Sequence, residues 1–383
     1  MRAIRRPPGG PWGDSVVLSQ LGVVHACWIG PNLVVDGNGI VTVVWTRRLL
    51  GESLVEAVRT QGDGSWSGPQ VIRRTTWTVG TPEVTVDGEG RVAVAWHRGR
   101  SDPRAAEVEV ARYTAGEWTP SARLSDDGEY ALSPQVGADA DGNLTVVWYR
   151  KRRHSDGWPT YDVRTIRRVQ GGSWGTPRTL STGDIEDMDL AVDRGGNVVV
   201  AWERRTDAAD HPTIVVEAVQ RPARAQWVEP RPVSRSHGVN VDIAVDAGGG
   251  EIVLAWRQYH RPTNNDRVVA ARWVDGSWRD PQRVTDLDDG LDWLDVDLNA
   301  RGQAILAWTR HRYWWRYTSR ATVHAARLRL DGTWTDQQRV SSVDRQSQVG
   351  DVAIDRDGVA RVVWDSIPRD HSDNRVIQIS RDK

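Results

Sequence analysis

DGEGRVAVAW, residues 87–96, joins a four-residue turn to a strand that is apolar on both faces. Asp can accept hydrogen bonds from its own turn, and the glycine three positions on tolerates a left-handed backbone. A strand with apolar residues on both faces belongs to a sheet covered on both sides. The phrase recurs along the chain as DGNGIVTVVW, DADGNLTVVW, DRGGNVVVAW, DAGGGEIVLAW, NARGQAILAW and DRDGVARVVW. Its closing residues are Trp45, Trp96, Trp148, Trp202, Trp256, Trp308 and Trp364, spaced 51 to 56 residues apart. A second series, Trp12, Trp66, Trp118, Trp174, Trp227, Trp278 and Trp334, sits in Gly-rich turns. One period therefore accounts for fourteen of the 21 tryptophans.

Each unit reads as four short strands. Strand A precedes the Asp turn, as in PEVTV. Strand B is the apolar run ending in Trp. A longer charged loop leads to strand C (EVEVARY), and the Gly-Trp turn leads to strand D (SARLS). No stretch has a helical period of useful length. Four strands per unit at this spacing is the pattern of a β-propeller. The chain resembles the bacterial seven-bladed β-propeller repeat proteins over essentially its whole length. It lacks the Gly-His and Trp-Asp pairs of WD repeats. It also lacks the sialidase Asp-box, where Trp follows Asp by five positions; the gap here is nine in most copies. The fold expected is all-β: one domain, residues 1–383, of seven four-stranded antiparallel blades. Approximate blade bounds are 31–80, 81–132, 133–186, 187–239, 240–292, 293–347, and 348–383 joined by 1–30.

The chain begins partway through a unit. MRAIRRPPGGPWGDSVVLSQ matches the internal VRTIRRVQGGSWGTPRTLST, and the last unit stops after strand C. The expectation is that Asp14–Gln20 supplies the missing strand D and closes the ring, removing an open edge. Two segments compete for strand C of that blade: residues 2–8 and residues 374–381. The second is preferred because Val376, Ile377 and Ile379 are more apolar.

Composition excludes some classes. Net charge is −1, with 39% hydrophobic and 26% charged residues, so no basic field points to nucleic acid. No apolar run approaches the length of a membrane span. The N-terminus carries charge but no apolar segment behind it, so no signal peptide is read. Cytoplasmic residence and a trimmed secreted form both fit. Cys27 is the only cysteine, which excludes an internal disulfide. No zinc spacing, phosphate loop or nucleophile turn appears, so no cofactor or metal is expected. The acidic run DLDDGLDWLDVD, residues 286–297, does not match an EF-hand loop.

Within the expected fold, A–B and C–D turns share one face, while B–C and D–A loops share the other. The second face carries the long, varied loops where binding usually resides. Most tryptophans outside the two series, six of seven tyrosines and eight of nine histidines map there. TRHRYWWRYTSR, residues 309–320, concentrates five basic residues and four aromatics. Blades five and six thus mark a candidate site of Tyr259, His260, Arg261, Trp293, Arg310, Arg312, Trp314, Trp315 and Arg316. Aromatic rings would stack on a ligand and arginines would hold its negative groups.

Two further patterns each admit a structural and a functional reading. Arg47, Arg98, Arg150, Arg204 and Arg310 each lie two residues past the strand B Trp. They are structural partners of the repeat or a ring for an anion. Asn32, Glu83, Gln135, Asp189, Asp242, Asp295 and Asp351 interrupt strand A and form a polar ring, solvated or metal-binding. The leading functional expectation is recognition of an acidic glycan or another extended anionic ligand. Alternatives are a polysaccharide lyase or glycoside hydrolase on the same face, with His260 and Tyr259, or His311 and Tyr313, as acid–base pairs. The last is a scaffold for a protein partner.

Overall fold

The computed structural model describes residues 2–3, 16–18, 32–99, 105–152, 159–206, 213–234, 240–260, 263, 265–288, 290–314, 318–342, 345–368 and 376–381. Among them there is no helix. The chain divides into two compact units, Met1–Ser181 and Thr182–Lys383.

Besides the short pair Arg2–Ala3 and Val16–Val17, the described residues of the first unit form three larger antiparallel sheets, each running A-B-C-D in chain order. Sheet one is Asn32–Val35, Val41–Leu49, Glu52–Arg59 and Gln70–Thr75. In sheet two, strand A is split into Thr78–Val79 and Glu83–Val86. Val92–Gly99 and Ala106–Thr114 follow, then a strand D in two pieces, Glu117–Trp118 and Ala122–Arg123. Sheet three is Ala131–Ala138, Leu144–Arg152, Thr160–Arg168 and Arg178–Ser181.

The second unit holds four. Sheet four is Ile185–Val192, Val198–Thr206, Thr213–Arg221 and Arg231–Pro232. Sheet five is Asn240–Gly248, Glu251–His260 and Asn265–Val274, with Ser277–Trp278 and Gln282–Arg283 as strand D. Sheet six is Leu291–Leu298, Ala304–Trp314, Thr318–Leu328 and Gln338–Arg339. Sheet seven has three strands, Arg345–Ile354, Ala360–Pro368 and Val376–Arg381.

The turn that defines the repeat forms for the expected reason. Asp36 Oδ1 accepts the N–H groups of Asn38 and Ile40, each at 2.9 Å, and Gly39 takes φ +77°. Asp87, Asp139, Asp193, Asn299 and Asp355 accept equivalent bonds from the residue four positions on. The turn hands directly into strand B, which is buried on both faces. In the first unit, one core joins Val44 and Val55 to Val94 and Trp96, and another joins Ala95 and Val108 to Val146 and Trp148. In the second, comparable cores join sheet four to five, five to six, and six to seven. All seven strand B tryptophans are at most 5% exposed.

A buried indole brings an N–H that needs an acceptor. The register sets Trp45, Trp96 and Trp202 opposite Glu56, Glu109 and Glu217 of strand C. Those carboxylates accept the indole N–H at 3.0, 3.1 and 2.9 Å. The Arg two residues past each Trp then neutralises the carboxylate: Arg47 on Glu56, Arg98 on Glu109 and Glu107, Arg204 on Glu217. Sheet three varies the theme. Arg164 stands opposite Trp148, whose N–H goes to Glu129 at 3.3 Å, while Arg150 pairs with Asp162. Arg310 is held by Asp288. Each of the five repeating arginines is thus occupied by a carboxylate, on its own sheet for four of them and on the preceding D–A loop for Arg310.

The N-terminal segment departs from the expectation. Val16–Val17 pairs with Arg2–Ala3, not with the segment 374–381. The two described segments are near each other in sequence, so their pairing costs little loop-closure entropy. Val376–Arg381 occupies strand C of sheet seven, as its apolar content suggested. Leu18 is buried against Val43, Trp45 and Val58 of sheet one.

The polar positions of strand A do structural work on the neighbouring strand. Asp295 Oδ2 accepts the N–H of Val352 at 2.8 Å, and Asp297 Oδ2 that of Ile354 at 2.6 Å. Thr85 Oγ1 does the same for Ala138 at 3.2 Å. These bonds satisfy edge amides that no further strand reaches. One expected member differs. The extra glycine in DAGGGE shifts the register, so Ala244 faces Ala255 and Asp242 falls at a bulge. Asp295 and Asp351 lie close to each other, which disfavours two negative charges on the pair. Burial raises both, and the charge of Asp351 raises Asp295 further, well above the usual carboxylate range.

Two outcomes test this account. Trp45→Phe and Trp256→Phe remove similar volume, but the Trp256 indole N–H has no hydrogen-bond acceptor among the described residues. In urea unfolding, Trp45→Phe should cost about 1–3 kcal/mol more, the worth of a hydrogen bond to a buried, charged acceptor. For the Asp295–Asp351 pair, a raised folded pKa means the native state binds more protons above pH ~4. That stabilisation is complete below pH ~4 and is lost as pH rises through the pair's folded range. Asp295→Asn should therefore flatten the fall of stability with rising pH and leave the low-pH values comparatively little changed.

Candidate ligand site

The D–A loop between sheets five and six is pulled back across strand C of sheet five. Asp266 and Asp288 exchange backbone hydrogen bonds at 2.8 Å in both directions. Arg310 clasps the Asp288 carboxylate with two nitrogens, Nε at 2.5 Å and Nη2 at 2.7 Å. From sheet five, Arg257 donates to the carbonyl of Leu291 at 2.6 Å and lies 3.1 Å from Asp292 Oδ1 and 3.4 Å from Asp266 Oδ2. His311 donates its backbone N–H to the carbonyl of Gly290 at 2.7 Å. Its Nε2 lies 3.3 Å from Asp292 Oδ2. The beginning of strand A in sheet six is therefore fixed from both sides.

The next residue is Trp293. Strand A carries a bulge between Asp292 and Leu294, and Trp293 occupies it with φ +47°. Its ring is 39% exposed and tilted over His311, with centroids 6.1 Å apart. Sheets three and four bulge at the same part of strand A, with Ser133 at φ +45° and Asp187 at φ +39°. Asp accommodates the left-handed region through local side-chain bonds, whereas a bulky aromatic there is strained.

Burial pushes His311 below its ordinary pKa, opposed by Asp292 and reinforced by Arg257, so the imidazole is neutral at neutral pH. Burial raises Asp266, and Arg257 partly offsets it. The site thus sets a neutral imidazole oriented by a carboxylate beside an exposed indole. Among the described residues, no group of three or more His, Cys, Asp or Glu side chains could hold a metal ion.

Of the residues singled out from sequence, Trp293 and Arg310 meet here. Tyr259 and His260 lie on the last two positions of strand B in sheet five, opposite Asp266 and Asn265. His260 Nδ1 engages Thr263 Oγ1 at 2.9 Å on its own hairpin. Arg312 and Trp314 pair with Arg320 and Thr318, so the expected loop 309–320 is largely a strand extension. Its Tyr and Trp residues favour strand, which explains the difference. The side chains of Arg312 and Trp314 are outside the description, as are Arg261, Trp315 and Arg316. Sequence reasoning missed Arg257 and Asp292. Arg257 follows its Trp by one residue, not two, and Asp292 lay within a run weighed only for calcium.

No protein-family model matches the chain, and no curated protein matches it. Solved structures do. A PL25 polysaccharide lyase, an ulvan lyase with -[GlcA(1-4)Rha3S]- bound, aligns with a TM-score of 0.58 at 12% identity, covering 94% of this chain and 92% of that one. The polysaccharide lyase Uly1 aligns at 0.54 with 11% identity, covering 96% and 92%. A protein of unknown function from Dyadobacter fermentans DSM 18053 aligns at 0.51 with 13% identity, covering 80% and 94%. At these identities the likeness shows a shared β-propeller fold.

The Asp292–His311 pair has a direct check. In Asp292→Asn, His311 should titrate lower than in the wild type by proton NMR, because the carboxylate that favours the imidazolium is gone.

Proposed function

We propose that the chain is a seven-bladed β-propeller, residues 1–383, that binds an acidic glycan on the B–C and D–A loops of sheets five and six. The observation that carries the reading is Trp293. Three strand A bulges adopt a left-handed backbone, and only this one carries a large aromatic. Its conformation costs on the order of 1–3 kcal/mol. Its ring leans over His311 and still leaves the residue 39% exposed, so one side of the indole remains open to a ligand. An exposed, rigidly aimed indole is suited to the C–H face of a sugar ring. Arg310 is already neutralised by Asp288. Recognition of negative groups is therefore assigned to Arg261, Arg312 and Arg316, which the sequence places on the same two hairpins. The polysaccharide lyases of similar fold support a saccharide ligand.

A second reading, a lyase, is favoured by the Asp292–His311 pair. A neutral imidazole can take the proton from the carbon beside a uronate carboxylate. The electron pair left behind forms a C=C bond to the adjacent carbon as its C–O bond breaks, and a Tyr hydroxyl, from Tyr259 or Tyr313, protonates the departing oxygen. A scaffold for a protein partner needs neither feature.

Trp293→Gly separates binding from structure. Glycine relieves the left-handed strain, so thermal stability should be unchanged or raised. Affinity for acidic oligosaccharides, measured by calorimetry, should fall about tenfold or more, ~1.4 kcal/mol. Equal affinity in the variant would place the site elsewhere, and binding of a protein but no glycan would favour the scaffold. New ultraviolet absorbance from unsaturated uronate, absent in His311→Asn, would establish the lyase.

A further inference from the structure

The end of sheet three in the first unit combines aromatic rings and cations differently. Residues 148–152 read Trp-Tyr-Arg-Lys-Arg, and strand alternation sorts them onto two faces. Trp148, Arg150 and Arg152 point one way. There Asp162, fully buried and opposite Arg150, accepts from both guanidinium groups. Tyr149 and Lys151 point the other way, and the register sets Tyr161 opposite Lys151 on the same face. Tyr130, from the preceding D–A segment, is brought over by the Lys151 N–H, which donates to its carbonyl at 2.9 Å.

The result is an ammonium group set between two tyrosine rings. Lys151 Nζ lies 5.4 Å from the centroid of Tyr130 and 5.9 Å from that of Tyr161. Tyr149 meets Tyr161 edge to face at 5.9 Å. All four side chains are partly exposed. Lys151 differs from the five repeating arginines, each of which is occupied by a carboxylate. No carboxylate among the described residues lies within 4.0 Å of it. It is also one of only two lysines, with Lys383, in a chain whose other cations are arginine. Lysine is a compact point charge, suited to one carboxylate, where arginine favours bidentate, planar pairing.

We infer that Lys151, Tyr130, Tyr149 and Tyr161 form a second saccharide site, selective for a uronic acid residue. The ammonium pairs with the carboxylate, and the tyrosine rings, already held around it, cover the sugar's C–H face. The charge balance supports an anion: Asp162 is taken up by Arg150 and Arg152 on the other face, which leaves Lys151 without a carboxylate among the described residues. The site stands on residues of the first unit alone and does not depend on the Trp293 reading.

The scarcity of lysine makes the test direct. Reductive methylation with 13C-formaldehyde labels Lys151, Lys383 and the chain N-terminus, and Lys151→Arg identifies the Lys151 signal. Titration with oligoglucuronate should shift that signal saturably, while a neutral cello-oligosaccharide of equal length should not. Lys151→Gln should weaken oligoglucuronate binding at this site at least tenfold, and the Lys151 response should persist in Trp293→Gly. A Lys151 signal unmoved by oligoglucuronate overturns the proposal. So does equal response to the neutral sugar, or undiminished binding in Lys151→Gln with the circular-dichroism spectrum intact. Loss of the Lys151 response in Trp293→Gly would likewise overturn it, since the two sites would then be one.

Discussion

The strand B tryptophan is the constraint around which each sheet is organised. In sheets two, three, five, six and seven its ring packs in the core shared with the preceding sheet, where a smaller side chain would leave a cavity. That placement buries an indole N–H, which must then be given an acceptor. In sheets one, two and four the acceptor is a glutamate directly across the strand pair, and a buried glutamate in turn requires a cation. The arginine two residues past the tryptophan is on the same strand face and within reach. A packing requirement thus propagates into a charge requirement, and the repeat copies both together.

The same chain of requirements explains which sheets are free to vary. In sheets five and six the strand C partner of the tryptophan is Val269 or His324 in place of glutamate. With no glutamate across the strand, Arg310 turns to Asp288, while Arg257, one residue past its Trp and on the other strand face, reaches Asp292 and the Leu291 carbonyl. Both targets lie on the D–A loop between those sheets. Losing the internal lock is what ties that loop down and presents Trp293. In sheet three the lock is also altered, since Arg164 stands opposite Trp148, and there too the strand end carries an unusual cluster. Both regions whose chemistry differs from the repeat lie in sheets that depart from the Trp–Glu–Arg unit, as does sheet seven, where Gln378 stands opposite Trp364.

Backbone strain follows a similar logic. The left-handed bulge in strand A lets the chain turn from the D–A loop into register with strand B, so it is an architectural feature. Ser133 and Asp187 meet it with small polar side chains. Trp293 meets it with a ring that is neither small nor buried. The position is set by topology, whereas the choice of residue is not explained by topology.

Much of the architecture was legible in sequence because it is periodic. The Asp-x-x-Gly turn, the apolar run and its closing tryptophan are local and repeat seven times, so strands A, B and C of each unit could be placed from spacing. What spacing could not provide was partnership across strands. Whether Arg310 faces solvent or Asp288, and whether Lys151 shares a face with Tyr161 or with Asp162, depends on register, and register is a property of strand pairs. Likewise the extra glycine at 248–250 shifts the register so that Asp242 falls at a bulge, and Val16–Val17 takes Arg2–Ala3 as its partner. The amino-acid order by itself determined the repeat, its turns and its buried tryptophans, because those follow from local patterning and burial. Only the tertiary structure decided which charges are already neutralised and which remain to meet a ligand, because a carboxylate cancels a guanidinium by distance and not by sequence position.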